Sequence, residues 1–291
     1  MSSKIRELKL KEHLRKKIDS YYESTYKKLS GIPQDKYVGD VLSIGRAEEE
    51  ISLLKKKIGI DIEGKKLLEI GSGFGSFIIN SRMNHNVLSS GVEPDETCYS
   101  VSKELIKDIG LPEDIINKAV GEDLPYKDNV FDIVYSSNSV EHVRDPRRVF
   151  QEATRVLKPG GFLFFVIPNY ASWWEGHYGM IWLPNMPKGL AKLYVRLFGR
   201  DPSFIDSLQF LTLKKVKEIT SSFDNSLDVL DLGWDVWEHR LRTIDFSGWA
   251  YLYRLKDMLK MMHKLRLIEP VIFLGKRFDW LTPIIVLAKK T

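Results

Sequence analysis

The stretch Leu67-Leu-Glu-Ile70 runs directly into Gly71-Ser-Gly73-Phe-Gly75, and this junction constrains the fold more than any other part of the 291-residue chain. A short apolar run reads as a strand buried on both faces, the kind found in parallel sheets. Glycines after it let the backbone turn tightly and approach a ligand closely, and a following helix offers unpaired N–H groups. Downstream the pattern alternates. It predicts a helix near Ser76–Met83, a strand Leu88–Val92, a helix Glu96–Ile109, a strand near Ile116–Val120, a strand Phe131–Ser136, a helix Arg147–Leu157 and a strand Phe162–Ile167. Such a βαβ series implies an α/β fold, doubly wound, whose ligand sits at the carboxyl ends of the strands. Lys158-Pro-Gly-Gly161 reads as a tight reversal between the last helix and strand.

The flanks are helical. Apolar residues recur at helical spacing from Ile5 to Leu29, predicting an amphipathic helix or helix pair that Gly31-Ile-Pro33 stops, and a further helix is expected over Arg46–Ile58. Residues 1–58 therefore read as a helical extension or lid on a ligand-binding domain over 59–291. That domain carries insertions at about 169–208 and 233–281. The first insertion is rich in Trp, Tyr, Gly and Pro. A helix over Leu213–Phe223 and a strand Leu227–Leu232 separate it from the second, which holds a basic helical stretch, Tyr251–Leu267, and Pro283–Ala288 reads as the last buried strand. The chain contains no repeat and no low-complexity tract.

Composition excludes several classes. The lone Cys98 permits no internal disulfide and no cysteine-rich metal site, and its position suits a buried structural thiol. Met-Ser-Ser-Lys lacks the apolar core of a signal peptide, and no apolar run approaches the roughly 18 residues of a membrane span; a cytoplasmic protein is the expectation. The net charge of +5 is uneven: residues 1–30 carry +5 and residues 249–291 carry +6, leaving the middle at −6. Basic ends around an acidic centre fit an anionic partner or merely solvated helix faces.

The glycine turn alone does not choose a ligand, since dinucleotide enzymes use a related spacing in which the third glycine comes one residue later. Glu93, 18 positions after Gly75 at the end of the second strand, is placed to accept both hydroxyls of a ribose, which suits NAD and S-adenosylmethionine alike. The stretch that discriminates is Gly121-Glu-Asp-Leu-Pro-Tyr126, then Phe131-Asp-Ile-Val-Tyr-Ser-Ser-Asn-Ser-Val-Glu-His-Val143, then Val156-Leu-Lys-Pro-Gly-Gly161. In order and spacing over roughly residues 60–170 the chain resembles the small-molecule branch of the class I S-adenosylmethionine-dependent methyltransferases. A weaker echo runs from Gln209 to Phe223. The resemblance implies a Rossmann-like, mostly parallel seven-stranded sheet whose seventh strand, supplied by Pro283–Ala288, is antiparallel. It implies S-adenosyl-L-methionine as cofactor, with Glu69 and the Gly71, Ser72, Gly73 and Gly75 backbone beside the methionine part, Glu93 on the ribose and Pro94 near the adenine. The acidic residue that bonds the adenine amino group in relatives is replaced by Val120, leaving Glu122 or the main chain of Gly121 to serve. Asn138, after the fourth strand, would approach the methionine end.

For methyl transfer to a hydroxyl, a base near the acceptor is useful, and histidine suits neutral pH. His177, in Trp173-Trp-Glu-Gly-His-Tyr178, is the first candidate, with Glu175 as its helper or substitute and His142 second; an aromatic plug with His177 at its rim, and a capping or packing role for His142, are the structural alternatives. Asp132 reads as structural. Trp173, Trp174, Tyr178, Trp182, Trp234, Trp237 and Trp249 offer flat faces that suit sugars, quinones or lipids, and suit a core equally. The lid motif also looks like that of methyltransferases of surface-polysaccharide assembly, which implies a glycan or lipid-linked acceptor. Leu and Met spaced between Lys and Arg over 251–267 fit peripheral contact with an anionic membrane, or packing on the domain. Two rivals stand: an NAD-dependent oxidoreductase, weakened because Tyr99-Ser-Val-Ser-Lys103 falls too early for a short-chain dehydrogenase pair, and a catalytically silent binding module. A nucleic-acid acceptor is disfavoured by the absence of a Pro-Pro-aromatic motif after the fourth strand.

Overall fold

A computed structural model describes residues 8–29, 32–223, 225–245 and 253–291. Its centre is a seven-stranded sheet: β1 (Lys66–Ile70), β2 (Leu88–Val92), β3 (Ile116–Asn117), β4 (Phe131–Ser137), β5 (Leu157–Ile167), β8 (Leu227–Asp231) and β9 (Ile284–Lys290). The spatial order is β3-β2-β1-β4-β5-β9-β8, and all pairs from β3 to β5 are parallel. β9 is inserted antiparallel between β5 and β8. The doubly wound sheet and its antiparallel strand are thus as the sequence implied. The order reverses between β1 and β4, so the loops after these strands diverge and leave a crevice between them.

The helices take the positions that alternation demands. α4 (Ser76–His85), α5 (Glu96–Asp108) and α6 (Pro146–Val156) follow β1, β2 and β4. Asp95 caps α5 by accepting from the Cys98 N–H at 2.9 Å, and Asp145 caps α6 ahead of Pro146. Leu67, Leu68, Ile133, Val134, Leu163, Phe164 and Ile285 are fully buried between the layers.

Three expectations change. Lys158–Gly161 turns tightly inside β5 rather than between helix and strand: Gly160 has φ +77°, and β5 pairs with β4 at Leu157↔Phe131 before the turn and again at Phe162↔Ile133 after it, so the turn loops out as a bulge. β3 pairs only at Ile116 and Asn117, since the chain turns at Val120. The N-terminal segment holds more pieces than foreseen: α1 (Glu12–Tyr21), a π-helical turn (Tyr22–Tyr26), α2 (Gln34–Val41) and α3 (Ile44–Ile58). Leu14, Ile18, Tyr22, Tyr37 and Val38 pack there against Phe74 and Ile78 at α4 and Val101 and Leu105 of α5.

The first insertion folds into a hairpin, β6 (Trp174–Glu175) with β7 (Met180–Ile181), followed by α7 (Lys188–Leu197). Its own cluster joins Tyr170, Tyr178, Trp182, Met186, Val195 and Ile205. After α8 (Leu213–Ser221), the second insertion is α9 (Trp234–Thr243), α10 (Tyr253–Lys264) and α11 (Ile268–Arg277). Trp249 and Tyr251, singled out above, lie outside the described residues, as do Ile5 and Gly31.

Candidate active site

A cleft of about 1050 Å³ opens over the carboxyl ends of β1, β2 and β4. Its floor is the turn after β1. Gly71, Gly73 and Gly75 have φ of +76°, +52° and +82°, the left-handed region that side chains resist. At Gly71 a Cβ would fall 2.3 Å from Ser139 Oγ of the loop after β4, whose hydroxyl donates to the Gly71 carbonyl. The two loops that define the crevice are held together at this point.

Three polar groups around the turn fit a nucleoside bearing a cationic amino-acid tail. Glu69 Oε2 and Ser72 Oγ are buried without a hydrogen-bond partner among the described residues. Burial, with the nearby charges of Glu50 and Glu93, pushes the Glu69 carboxyl well above its usual range, so a cationic group beside it would be stabilising. Glu93 accepts from the N–H of Gly73 at 2.7 Å and of Asp95 at 2.9 Å. Burial raises its pKa and these two bonds restrain the rise. Each oxygen keeps a lone pair for a ligand hydroxyl.

Of the residues expected around the cofactor, Glu69, Gly71, Ser72, Gly73, Glu93, Pro94, Gly121, Glu122 and Asn138 line this cleft, while Gly75 lies at the back of the turn, against Ser102. Glu122 is committed elsewhere, since its Oε1 accepts from the N–H groups of Arg144 and Asp145. Asn138 has φ +49° and donates its N–H to the Val166 carbonyl. Cys98 is buried, with its thiol pKa pushed up by burial. Asp132 accepts from the Lys66 N–H and from Lys158, away from the cleft.

The catalytic candidates converge. His177 Nδ1 lies 2.7 Å from Glu175 Oε1, and His177 Nε2 lies 3.2 Å from His142 Nε2. Glu175 Oε2 also accepts from the Tyr178 N–H at 2.6 Å, and Glu175 Oε1 accepts from the Tyr170 hydroxyl, so the carboxylate is fixed. Burial opposes charge on His177, but Glu175 outweighs it and the pKa rises. His142 is pushed down to about 3 by burial and by His177. A fourth member was not foreseen: Glu141, fully buried, whose Oε1 lies 3.7 Å from His177 Nε2 and 3.8 Å from His142 Nε2. Its carboxyl is raised to about 7 by burial.

The segment expected as an N-terminal extension or lid reaches this cleft. Tyr21, Tyr26 and Tyr37 line the cleft from the N-terminal helices, with Tyr26 and Tyr37 rings 4.6 Å apart and Tyr21 edge-on to Phe74. Arg46 of α3 bonds Asp40 at 2.5 Å and Glu50 at 3.2 Å on the same wall.

Residues 68–165 match the family model described as a methyltransferase domain. This part of the chain is a methyltransferase domain of the S-adenosylmethionine-dependent type. The cofactor of this methyltransferase domain is S-adenosyl-L-methionine. Among curated relatives, a glycine/sarcosine/dimethylglycine N-methyltransferase of Actinopolyspora halophila is 33% identical over 124 residues, 42% of this chain and 22% of that protein. A ubiquinone biosynthesis O-methyltransferase of Klebsiella pneumoniae is 29% identical over 155 residues, 52% of this chain and 63% of the relative. The matches therefore span less than two thirds of these relatives' own length. A solved structure, a putative sarcosine dimethylglycine methyltransferase from Galdieria sulphuraria, superposes over 94% of this chain and 97% of its own with TM-score 0.51 and 16% identity, a likeness of fold.

Proposed function

We propose that this methyltransferase transfers a methyl group to a hydroxyl of a small-molecule, glycan or lipid-linked acceptor held beneath the 169–208 insertion. The observation that carries this reading is that a histidine backed by a carboxylate, His177 with Glu175, lines the same cleft as the unpartnered Glu69 and the glycine turn. Residues 59–291 bind cofactor and acceptor, and residues 1–58 close over them.

When bound, the cofactor supplies an electrophilic methyl on a cationic sulfur. Glu69 and the Gly71–Gly75 backbone hold its methionine part with Ser72 and Asn138. Glu93 accepts from the ribose hydroxyls, Pro94 packs on the adenine, and the Gly121 main chain serves the adenine edge, Glu122 being occupied. Glu175 takes the Nδ1–H of His177 and leaves Nε2 bare, so in the cation-free protein Nε2 is the proton acceptor for the hydroxyl, with His142 at its side. Tyr21, Tyr26 and Tyr37 exclude water from the reacting atoms.

Calorimetry with S-adenosylhomocysteine and transfer of labelled methyl to cell extracts test this together. We expect binding that Glu93→Ala weakens at least about 10-fold, and labelled product whose turnover His177→Ala lowers by about 10²–10⁴, the usual worth of a positioned base. Binding of NADH in place of the homocysteine nucleoside, or binding with no labelled product from any extract, would turn the reading toward an oxidoreductase or a silent module.

A lipid-linked acceptor is favoured by one further observation. Met261, Leu265, Phe273 and Phe278 on and beside α10 and α11 are more than half exposed, next to Lys264, Arg266 and Arg277. Peripheral contact with an anionic leaflet follows from it; flotation with phosphatidylserine vesicles at moderate salt is expected, and protein left wholly at the bottom of the gradient refutes it.

A further inference from the structure

We infer that Glu141, His142 and His177 form a binding site for a single divalent transition-metal cation of the zinc or cobalt type. His142 Nε2, His177 Nε2 and Glu141 Oε1 are mutually 3.2, 3.7 and 3.8 Å apart. The point equidistant from three atoms so spaced is about 2.1 Å from each, the length of zinc bonds to imidazole nitrogen and carboxylate oxygen. Two imidazoles and one carboxylate are a recurrent catalytic ligand set, with remaining positions for water or substrate.

Two independent features point to a cation here. Glu141 is fully buried, yet neither of its oxygens has a hydrogen-bond partner among the described residues. A buried carboxylate in that condition is costly unless a cation satisfies it. The second feature is the support around His177. Glu175 Oε1 sits 2.7 Å from its Nδ1, which fixes the proton on that nitrogen and turns the Nε2 lone pair toward Glu141 and His142. A carboxylate behind a histidine in this manner is the usual partner of a metal-binding imidazole. Glu175 is itself anchored by Tyr178 and Tyr170.

The ligands come from separate parts of the chain, which explains why no short spacing announces them. Glu141 and His142 stand on the 3₁₀ turn after β4, and His177 on the β6–β7 turn. Gln209 ties the first turn down: it donates its N–H to the Glu141 carbonyl and its side-chain amide to the Val143 carbonyl. Both histidines line the cofactor cleft. An acceptor hydroxyl coordinated there would release its proton to solvent, leaving the oxygen as nucleophile; this use rests on the methyl-transfer reading, whereas the cation site does not.

The test is titration of chelator-stripped, tag-free protein with Co²⁺ alone, followed by visible absorption. We expect saturation at one equivalent with the d–d bands of four- or five-coordinate cobalt. Affinity should fall at least about 10-fold in Glu175→Gln, the loss typical of a removed supporting carboxylate, and further in Glu141→Gln. X-ray absorption of the one-equivalent zinc form needs no variant: two imidazoles and an oxygen near 2.0–2.1 Å support the site. No saturable binding up to millimolar cobalt, affinity unchanged in Glu141→Gln, or a zinc shell without imidazole overturns it. Binding of S-adenosylhomocysteine is measured on the same samples. Cobalt binding without it keeps the cation site and defeats the methyl-transfer reading; the reverse result defeats the site alone.

Discussion

Gly71 and Gly73 share a left-handed φ but differ in what surrounds them. A Cβ on Gly71 would enter the space of Ser139 Oγ and Cβ, whereas one on Gly73 would meet nothing within 4 Å. Alanine at either position carries backbone strain of more than about 1 kcal/mol; only at Gly71 must the loop after β4 also move. Gly71→Ala is therefore expected to lower the thermal midpoint more than Gly73→Ala, as differential scanning calorimetry would read. Equal losses would mean that the Ser139 contact yields freely. The same pair shows what the sequence could say about a residue: it marked the turn as glycine-dependent, but the neighbour that makes one glycine stricter than the other lies 68 positions away.

At the scale of elements, the loop that carries Gly121 and Glu122 is held from behind by α6. Glu152, almost fully buried, accepts from the Leu124 N–H at 3.0 Å and from Arg155 at 2.7 Å, while Arg155 donates to the Leu124 and Tyr126 carbonyls. Arg155, then the Leu124 bond, hold the Glu152 pKa below the ordinary carboxylate value against the effect of burial. A depressed pKa contributes stability that is present above the unfolded value of about 4.3 and disappears as pH falls through the lower folded value. Glu152→Gln should thus be destabilised at pH 7 by about 1.5–3 kcal/mol, the range for bonds to charged groups, with the gap to wild type closing as the pH drops below about 4. A gap of constant size in urea melts at both pH values would show that packing, not the charge, is what was lost. Elements bounded by glycine or a cap were legible: β1, β2 and α5 fall within a residue or so of expectation, because the apolar run and its stop signal are both local. α2 was not, since it is only eight residues long and its buried Tyr37 and Val38 have meaning only against the neighbouring helices. Nor was the bulge at Lys158–Gly161, because the pairing of Leu157 with Phe131 is made across strands. Glu141 was overlooked for the same kind of reason: an acid beside a histidine on a short turn looks solvated until the lid brings His177 against it.

For the whole molecule, the site is a composite. The N-terminal helices give the aromatic wall, the sheet gives the floor, and the 169–208 insertion gives the histidine. The fold and the cofactor floor could be inferred from linked motifs, while the wall and lid depend on contacts between distant segments with no motif of their own. If the wall closes over bound cofactor, backbone amides of α1 to α3 should exchange more slowly with S-adenosylhomocysteine present, by at least about 10-fold near Tyr26 and Tyr37, in hydrogen-exchange mass spectrometry. Unaltered exchange there, with protection confined to residues 69–75 and 93–95, would leave the N-terminal helices as scaffolding. One further consequence follows from β9 lying between β5 and β8. During synthesis on a ribosome the sheet cannot be completed until residues 284–290 have been made and inserted between β5 and β8. Until then β5 and β8 present open edges able to pair with other nascent chains.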